Sequence, residues 1–289
     1  MSTRTNIALL FAIALISMAF LSPGCKNQGI SPAVSDTCKI IFLHHSTGNI
    51  IWKGRQTIMT KFKHLFGFDD AVPQWFHEYN KAHNTLYQIS AQNFPKASPY
   101  GWNNYPYDYY NIWVKHAGNK DFKNEPTLET LASKYNLIIF KHCFPVGNIA
   151  AGPDTADIES PIKTLANYKA QYLALRKKML EFPETKFLLW TPPALVEAQT
   201  TSDEARRTRE FTNWIINEWD LENDNIYLWD FYTLETEGGL YLKPAYATGI
   251  NDSHPGSAFA ETASALFCKR IVDIIETNGR HTSLTGQTP

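Results

Sequence analysis

Apolar and polar positions follow two rhythms along this chain. Five short stretches rich in β-branched or aromatic residues are strand candidates, Lys39–Leu43, Thr85–Ala91, Leu137–Lys141, Lys186–Trp190 and Asn225–Trp229, and the last three are apolar runs that end in polar or Pro-rich loops. Runs of that length suit strands buried on both faces of a parallel sheet. Between them apolar residues recur at helical spacing. Ser160-Pro161 reads as a cap followed by an N1 proline, and Ile162, Leu165, Tyr168, Tyr172, Leu175, Met179 and Phe182 then share one face. Thr201-Ser202-Asp203-Glu204 reads as a capping box leading to Phe211, Trp214 and Ile215. A last amphipathic run from Ser257 to Glu276 would bury Phe259, Leu266, Phe267, Ile271 and Ile274 and stop near Gly279. Weaker helical patterns cover Ala71–His83 and Pro126–Tyr135. Strands alternating with helices predict an α/β fold, a five-stranded parallel sheet between two helical layers.

The first strand ends abruptly in polar chemistry, His44-His45-Ser46-Thr47-Gly48. A parallel strand delivers the residue that follows it to the carboxyl edge of the sheet, where open α/β sheets bind ligands. Ser46 is therefore a candidate nucleophile, and it needs a base within hydrogen-bond reach. The same residues can also be only a turn that caps the next helix. A second stretch, Asn251-Asp252-Ser253-His254-Pro255-Gly256, precedes the last helix. It offers a base, His254, and an orienting carboxylate, Asp252, from one loop. Ser46, Asp252 and His254 run in one of the several chain orders that build a serine triad.

On these residues the chain resembles the SGNH (GDSL-like) hydrolase superfamily, whose serine follows the first strand and whose Asp-x-x-His motif precedes the last helix. The resemblance covers Lys39 to Glu276. His44-His45 stand where the family has Gly-Asp, and Asn251 stands where the family has its acid, with Asp252 one residue later. The resemblance implies a flavodoxin-like three-layer sandwich and a serine esterase. It also implies an oxyanion hole made by the Ser46 amide, an asparagine after the third strand and a glycine after the second. Asn148 and Gly101 are the nearest matches. His45 and His142 are expected to hydrogen-bond around Ser46 and the substrate.

Composition narrows the setting. Residues 1–25 read as a targeting segment: Arg4, an apolar run Ile7–Leu21, then Leu21-Ser22-Pro23-Gly24-Cys25, which resembles a bacterial lipoprotein signal with Cys25 as the lipidated residue. Plain secretion, with Cys25 incidental, is the alternative. Residues 26–37 read as a polar tether, 38–280 as one hydrolase domain and 281–289 as a tail. The expected location is outside the cytoplasm, anchored through lipid to a bacterial membrane, facing the periplasm or the cell surface. With 27 basic and 28 acidic residues and no basic run interleaved with aromatics, nucleic acid is not an expected partner.

Between Tyr100 and Trp113 lie seven aromatics, read as a long loop over the site. Trp102 and Tyr107 are its candidate sugar-stacking residues, since such rings offer flat apolar area with a polar edge. The substrate class expected is therefore a carbohydrate ester, an O-acetyl group first among them. A glycan-binding protein without catalysis and a metal-dependent hydrolase are the alternatives. His44, His45 and His142 could gather around a metal, but no ligand spacing supports one, and neither metal nor cofactor is expected. With Cys25 lipidated, any disulfide is expected between Cys38 and Cys268, leaving Cys143 free near the site; three reduced cysteines are the alternative.

Overall fold

The computed structural model describes residues 37–55 and 70–289. The targeting segment, Cys25 and the tether up to residue 36 lie outside the described residues.

Five strands form one parallel sheet in the order β2-β1-β3-β4-β5: β1 Cys38–His44, β2 Tyr87–Asn93, β3 Leu137–Phe140, β4 Lys186–Trp190 and β5 Ile226–Trp229. This is the flavodoxin-like strand order. Strand periodicity assigns the layers. Ile41, Leu43, Ile138, Phe140, Phe187, Leu189 and Leu228 face one core, and Ile40, Phe42, Leu137, Ile139, Leu188 and Trp190 face the other. Helices α1 Ser46–Lys53, α2 Ala71–His83 and α8 Ser257–Thr277 bring residues to the second core. Helices α3 Pro106–Tyr110, α4 Leu128–Ala132, α5 Leu165–Met179 and α6 Ser202–Trp214 serve the first. A short α7, Phe231–Thr236, precedes an antiparallel hairpin of β6 Ala247–Gly249 and β7 Asp252–Pro255. Among the described residues no helix is long and apolar enough to cross a membrane.

The Thr201 capping box forms as the sequence predicts, with both reciprocal hydrogen bonds present. The α5 start does not. Its cap is Thr164, because Ala150 N donates to Lys163 O and holds this stretch extended. Ser160-Pro161 stay in the loop before it, and Ile162, expected on the buried face, is 62% exposed. The aromatic segment is not a loop throughout. Pro106 opens α3, which runs on through a wider turn, Asn111–Lys115, and Tyr109, Ile112 and Trp113 become core. The expected tail is docked: Trp229 Nε1 donates to Thr285 O and Asp230 N to Leu284 O, at 3.0 and 2.9 Å. Cys38, Cys143 and Cys268 are free thiols, so the Cys38–Cys268 bridge is not formed. Cys268 fills the α8 side of the core as a small apolar residue.

Trp190 closes β4 at the centre of the second core, ringed by Phe42, Trp229, Phe231 and Phe267 at centroid distances of 4.4–5.1 Å. Its indole N–H is buried without a partner. Trp190→Ala is expected to lower unfolding free energy by about 3–5 kcal/mol. Trp190→Phe should cost far less, since it keeps a ring and removes the unpaired donor. Chemical denaturation of the three proteins measures both; equal losses would contradict the argument.

Candidate active site

The chain leaves β1 for β2 on one side and returns to β3 on the other, so the topological switch point lies between the carboxyl ends of β1 and β3. Ser46 is delivered there. β1 ends at His44, His45 is extended, and Ser46 begins α1, whose first turn closes through Asn49 N to His45 O at 2.8 Å. The strand can turn this sharply into a helix because Gly48 lies against it; a Cβ there would sit 2.4 Å from His44 Cβ. No side chain caps α1. Its leading N–H groups therefore carry the partial positive charge of a helix start beside an exposed Ser46 hydroxyl.

The base comes from the hairpin. β7 packs against α1. Asp252 Oδ1 accepts from His254 N at 3.0 Å and from His254 Nδ1 at 2.6 Å. This fixes the ring, places its proton on Nδ1 and leaves Nε2 as the free basic nitrogen. The His254 N–H, foremost, holds the Asp252 carboxyl below its ordinary range, so it stays ionised. Ser253, between them, points the other way and is pinned: Val196 N donates to its Oγ at 3.0 Å, and its own N donates to Gln199 Oε1 at 3.1 Å.

The loop after β3 joins the two. Phe144 meets the His254 ring edge-on, 4.9 Å between centroids, and the neighbouring Cys143 Sγ lies 3.9 Å from Ser46 Oγ. Ser46, His254 and Asp252 are thus gathered at one sheet edge. No hydrogen bond runs from Ser46 to His254 among the described residues, and such bonds often tighten only when substrate binds.

The other expected site residues divide. The His45 ring is hydrogen-bonded to Pro95 O and so ties α1's start to the loop after β2. Asn148 follows the turn Phe144–Gly147, half-buried, with its Oδ1 unpartnered. Gly101 is not placed as an oxyanion donor: it sits exposed at φ +75° with its N–H given to Ala97 O. His142 is not a substrate contact. It shares the parity of Ile138 and Phe140, so it points into the first core, fully buried against Tyr109 and Tyr172. Burial pushes its pKa down to about 3, and it is neutral. His44 turns to the opposite core beside Phe42 and Trp52, its pKa pushed down to about 4 by burial. The three histidines are therefore dispersed, and no group of three potential metal ligands is gathered among the described residues. Trp102 stands half-buried beside Tyr100, with the Lys123 ammonium over both rings at 5.9 and 5.4 Å. Tyr107 packs against the first core and accepts from Asn111 Nδ2 at 3.5 Å. No hydrogen bond or ring contact joins either to Ser46 or His254 among the described residues.

Asn104 was not singled out in the sequence, yet it braces the site. Its Oδ1 accepts from Cys143 N at 2.7 Å and its Nδ2 donates to Phe94 O at 2.6 Å, clamping the loops after β2 and β3 together. It adopts φ +61°, a region asparagine tolerates, and this is visible only in the structure.

No family model and no curated protein sequence matches the chain. Among solved structures, a GDSL-like lipase candidate from Parabacteroides merdae matches at 14% identity and a TM-score of 0.43, over 81% of this chain and 96% of that one. A carbohydrate esterase, described as having divergent catalytic and non-catalytic binding functions in its active site, matches at 14% identity and a TM-score of 0.38, over 84% of this chain and 69% of that one.

Proposed function

We propose that the protein is a serine esterase of the SGNH type, removing an acyl group, most simply O-acetyl, from a carbohydrate. The observation that supports this reading is that the loop after β3 touches both an exposed Ser46 at a helix start, through Cys143, and a His254 oriented by Asp252, through Phe144. In the reaction His254 Nε2 takes the Ser46 proton as Oγ bonds to the ester carbonyl carbon. The oxyanion is met by the uncapped N–H groups at the start of α1, Ser46 N among them, with Asn148 a further donor. His254 then protonates the leaving sugar oxygen as the acyl-enzyme forms. A water, deprotonated by the same nitrogen, releases the acid and restores Ser46. Trp102 and Tyr107 are proposed to stack on sugar. The chain is proposed to be exported and held to a membrane by lipid on Cys25.

The missing Ser46–His254 hydrogen bond favours a second reading, a glycan-binding protein on the same fold without turnover. Turnover of 4-nitrophenyl acetate by residues 26–289, beside the Ser46→Ala variant, separates the two. The enzyme reading expects Ser46-dependent hydrolysis, with the variant slower by about 10³-fold or more. Equal rates would leave the binding reading standing.

A further inference from the structure

A lysine is buried directly behind the candidate nucleophile. Lys141 directly follows β3 and has the parity of Leu137 and Ile139, which face the second core. It is 0% exposed. Its Nζ donates to Cys143 Sγ at 3.5 Å, and that sulfur is the atom 3.9 Å from Ser46 Oγ. The acid that interacts with it, Glu235, is equally buried, which pushes its carboxyl well above the ordinary range; one Glu235 oxygen accepts from Ala194 N and the other has no partner among the described residues.

Packing does not account for this lysine. Burial holds the Lys141 pKa below its ordinary value and pushes the Glu235 carboxyl well up, so the two do not form a charged pair, and burying an amine whose one hydrogen-bond partner among the described residues is a thiol is costly. An apolar chain of the same length would fill the space at less cost. What Lys141 does provide is a fixed partner for the Cys143 sulfur, which forms the back wall of the Ser46 hydroxyl, while Asn104 fixes the Cys143 backbone from the other side.

We propose that Lys141 is a positioning residue for the nucleophile: through the Cys143 sulfur it holds Ser46 Oγ in one rotamer at the switch point. The inference rests on the reading of Ser46 as the nucleophile. Released from the lysine amine, the thiol is free to leave its rotamer well, and the serine hydroxyl loses the contact that selects among its own three. Misplacement of a reacting oxygen by about 1 Å is enough to cost roughly a hundredfold in rate.

The test compares the unmodified full chain with Ser46→Ala, Lys141→Met, Cys143→Ala and the Lys141→Met/Cys143→Ala pair. Each is measured for kcat and KM on 4-nitrophenyl acetate, for the rate of covalent labelling of Ser46 by a fluorophosphonate, and for its unfolding midpoint. Lys141→Met should lower kcat and labelling by about tenfold to a hundredfold with KM held within about twofold. Its unfolding midpoint should stay level or rise, because a buried and poorly partnered polar group is gone. A merely structural lysine would give the reverse, a lower midpoint with kcat and labelling intact. Cys143→Ala should show the same kcat-against-KM split, and it decides the matter should Lys141→Met fail to fold; the pair should be no worse than the worse single variant. Unchanged kcat and labelling in both single variants, with Ser46→Ala inert, would overturn the role of Lys141 alone. A Ser46→Ala variant as fast as the unmodified full chain would instead remove the nucleophile reading, and the inference with it.

Discussion

His254→Ala is expected to lower kcat on an activated ester by on the order of 10⁴-fold or more, and adding Ser46→Ala to it should cost almost nothing further. The argument runs from the geometry of the pair. Asp252 accepts a hydrogen bond from His254 Nδ1–H, so Nε2 is the basic nitrogen that remains, on a hairpin packed against the helix that begins with Ser46. A serine hydroxyl attacks an ester only as its proton leaves, and the nearby candidate to receive it is that nitrogen. Losing either partner removes the same step, so the losses cannot multiply. Steady-state kcat for both single variants and the double variant measures this. Losses that multiply would mean that Ser46 and His254 act independently, and a His254→Ala variant within about tenfold of the unmodified protein would mean that another group takes the proton.

The parts of this molecule that local rules govern were legible in its sequence. β4 and the Thr201 cap fall where the pattern puts them, because each depends on neighbours within a few residues. The α5 start was misread because a distant residue decides it: Ala150 holds Lys163 and Thr164 extended, which overrides an attractive Ser-Pro signal. The aromatic segment was misread because its periodicity is broken by Pro106, yet a proline at a helix's first turn starts the helix. Ser46 was legible as a candidate because it follows β1 and opens α1, and His254 because it precedes the last helix, but the hairpin that carries Asp252 and His254 reads only as a loop in the sequence.

The histidines show where that logic stops. His44, His45 and His142 stand near the ends of β1 and β3 and could gather there, but a strand alternates its faces to its last residue. Parity sends His142 with Phe140 into one core and His44 with Phe42 into the other, leaving His45 at the turn. The same alternation, carried from Ile139 to Lys141 and on to Cys143, brings a buried lysine under the site. Nothing in composition singles out that lysine; only the strand's register does.

Asp252→Asn is expected to lower kcat about 10⁴-fold, while Asn251→Ala stays within a few-fold of the unmodified protein. Asp252 makes two hydrogen bonds to His254, one to its backbone N and one to its ring, and the first of these holds the carboxyl below its ordinary range. An asparagine keeps the size but not the charge that stabilises the imidazolium formed when Ser46 gives up its proton. Its amide can also turn N–H toward Nδ1, which moves the ring proton to Nε2 and removes the base. Asn251, by contrast, has an exposed side chain, and its backbone carbonyl accepts from Gln199 Nε2 at 2.7 Å, a bond that alanine keeps. Asp108 is not available as a substitute acid. It is buried at the start of α3, where Oδ2 accepts from Asn103 N and Asn104 N at 2.6 and 2.7 Å, and burial pushes its pKa up to about 6. The measurement is kcat for both variants across the pH range in which each stays folded, with circular dichroism as the check on folding. A harmless Asp252→Asn would show that His254 is oriented by the fold alone, and a damaging Asn251→Ala would return the acid's role to the position where the SGNH pattern has it.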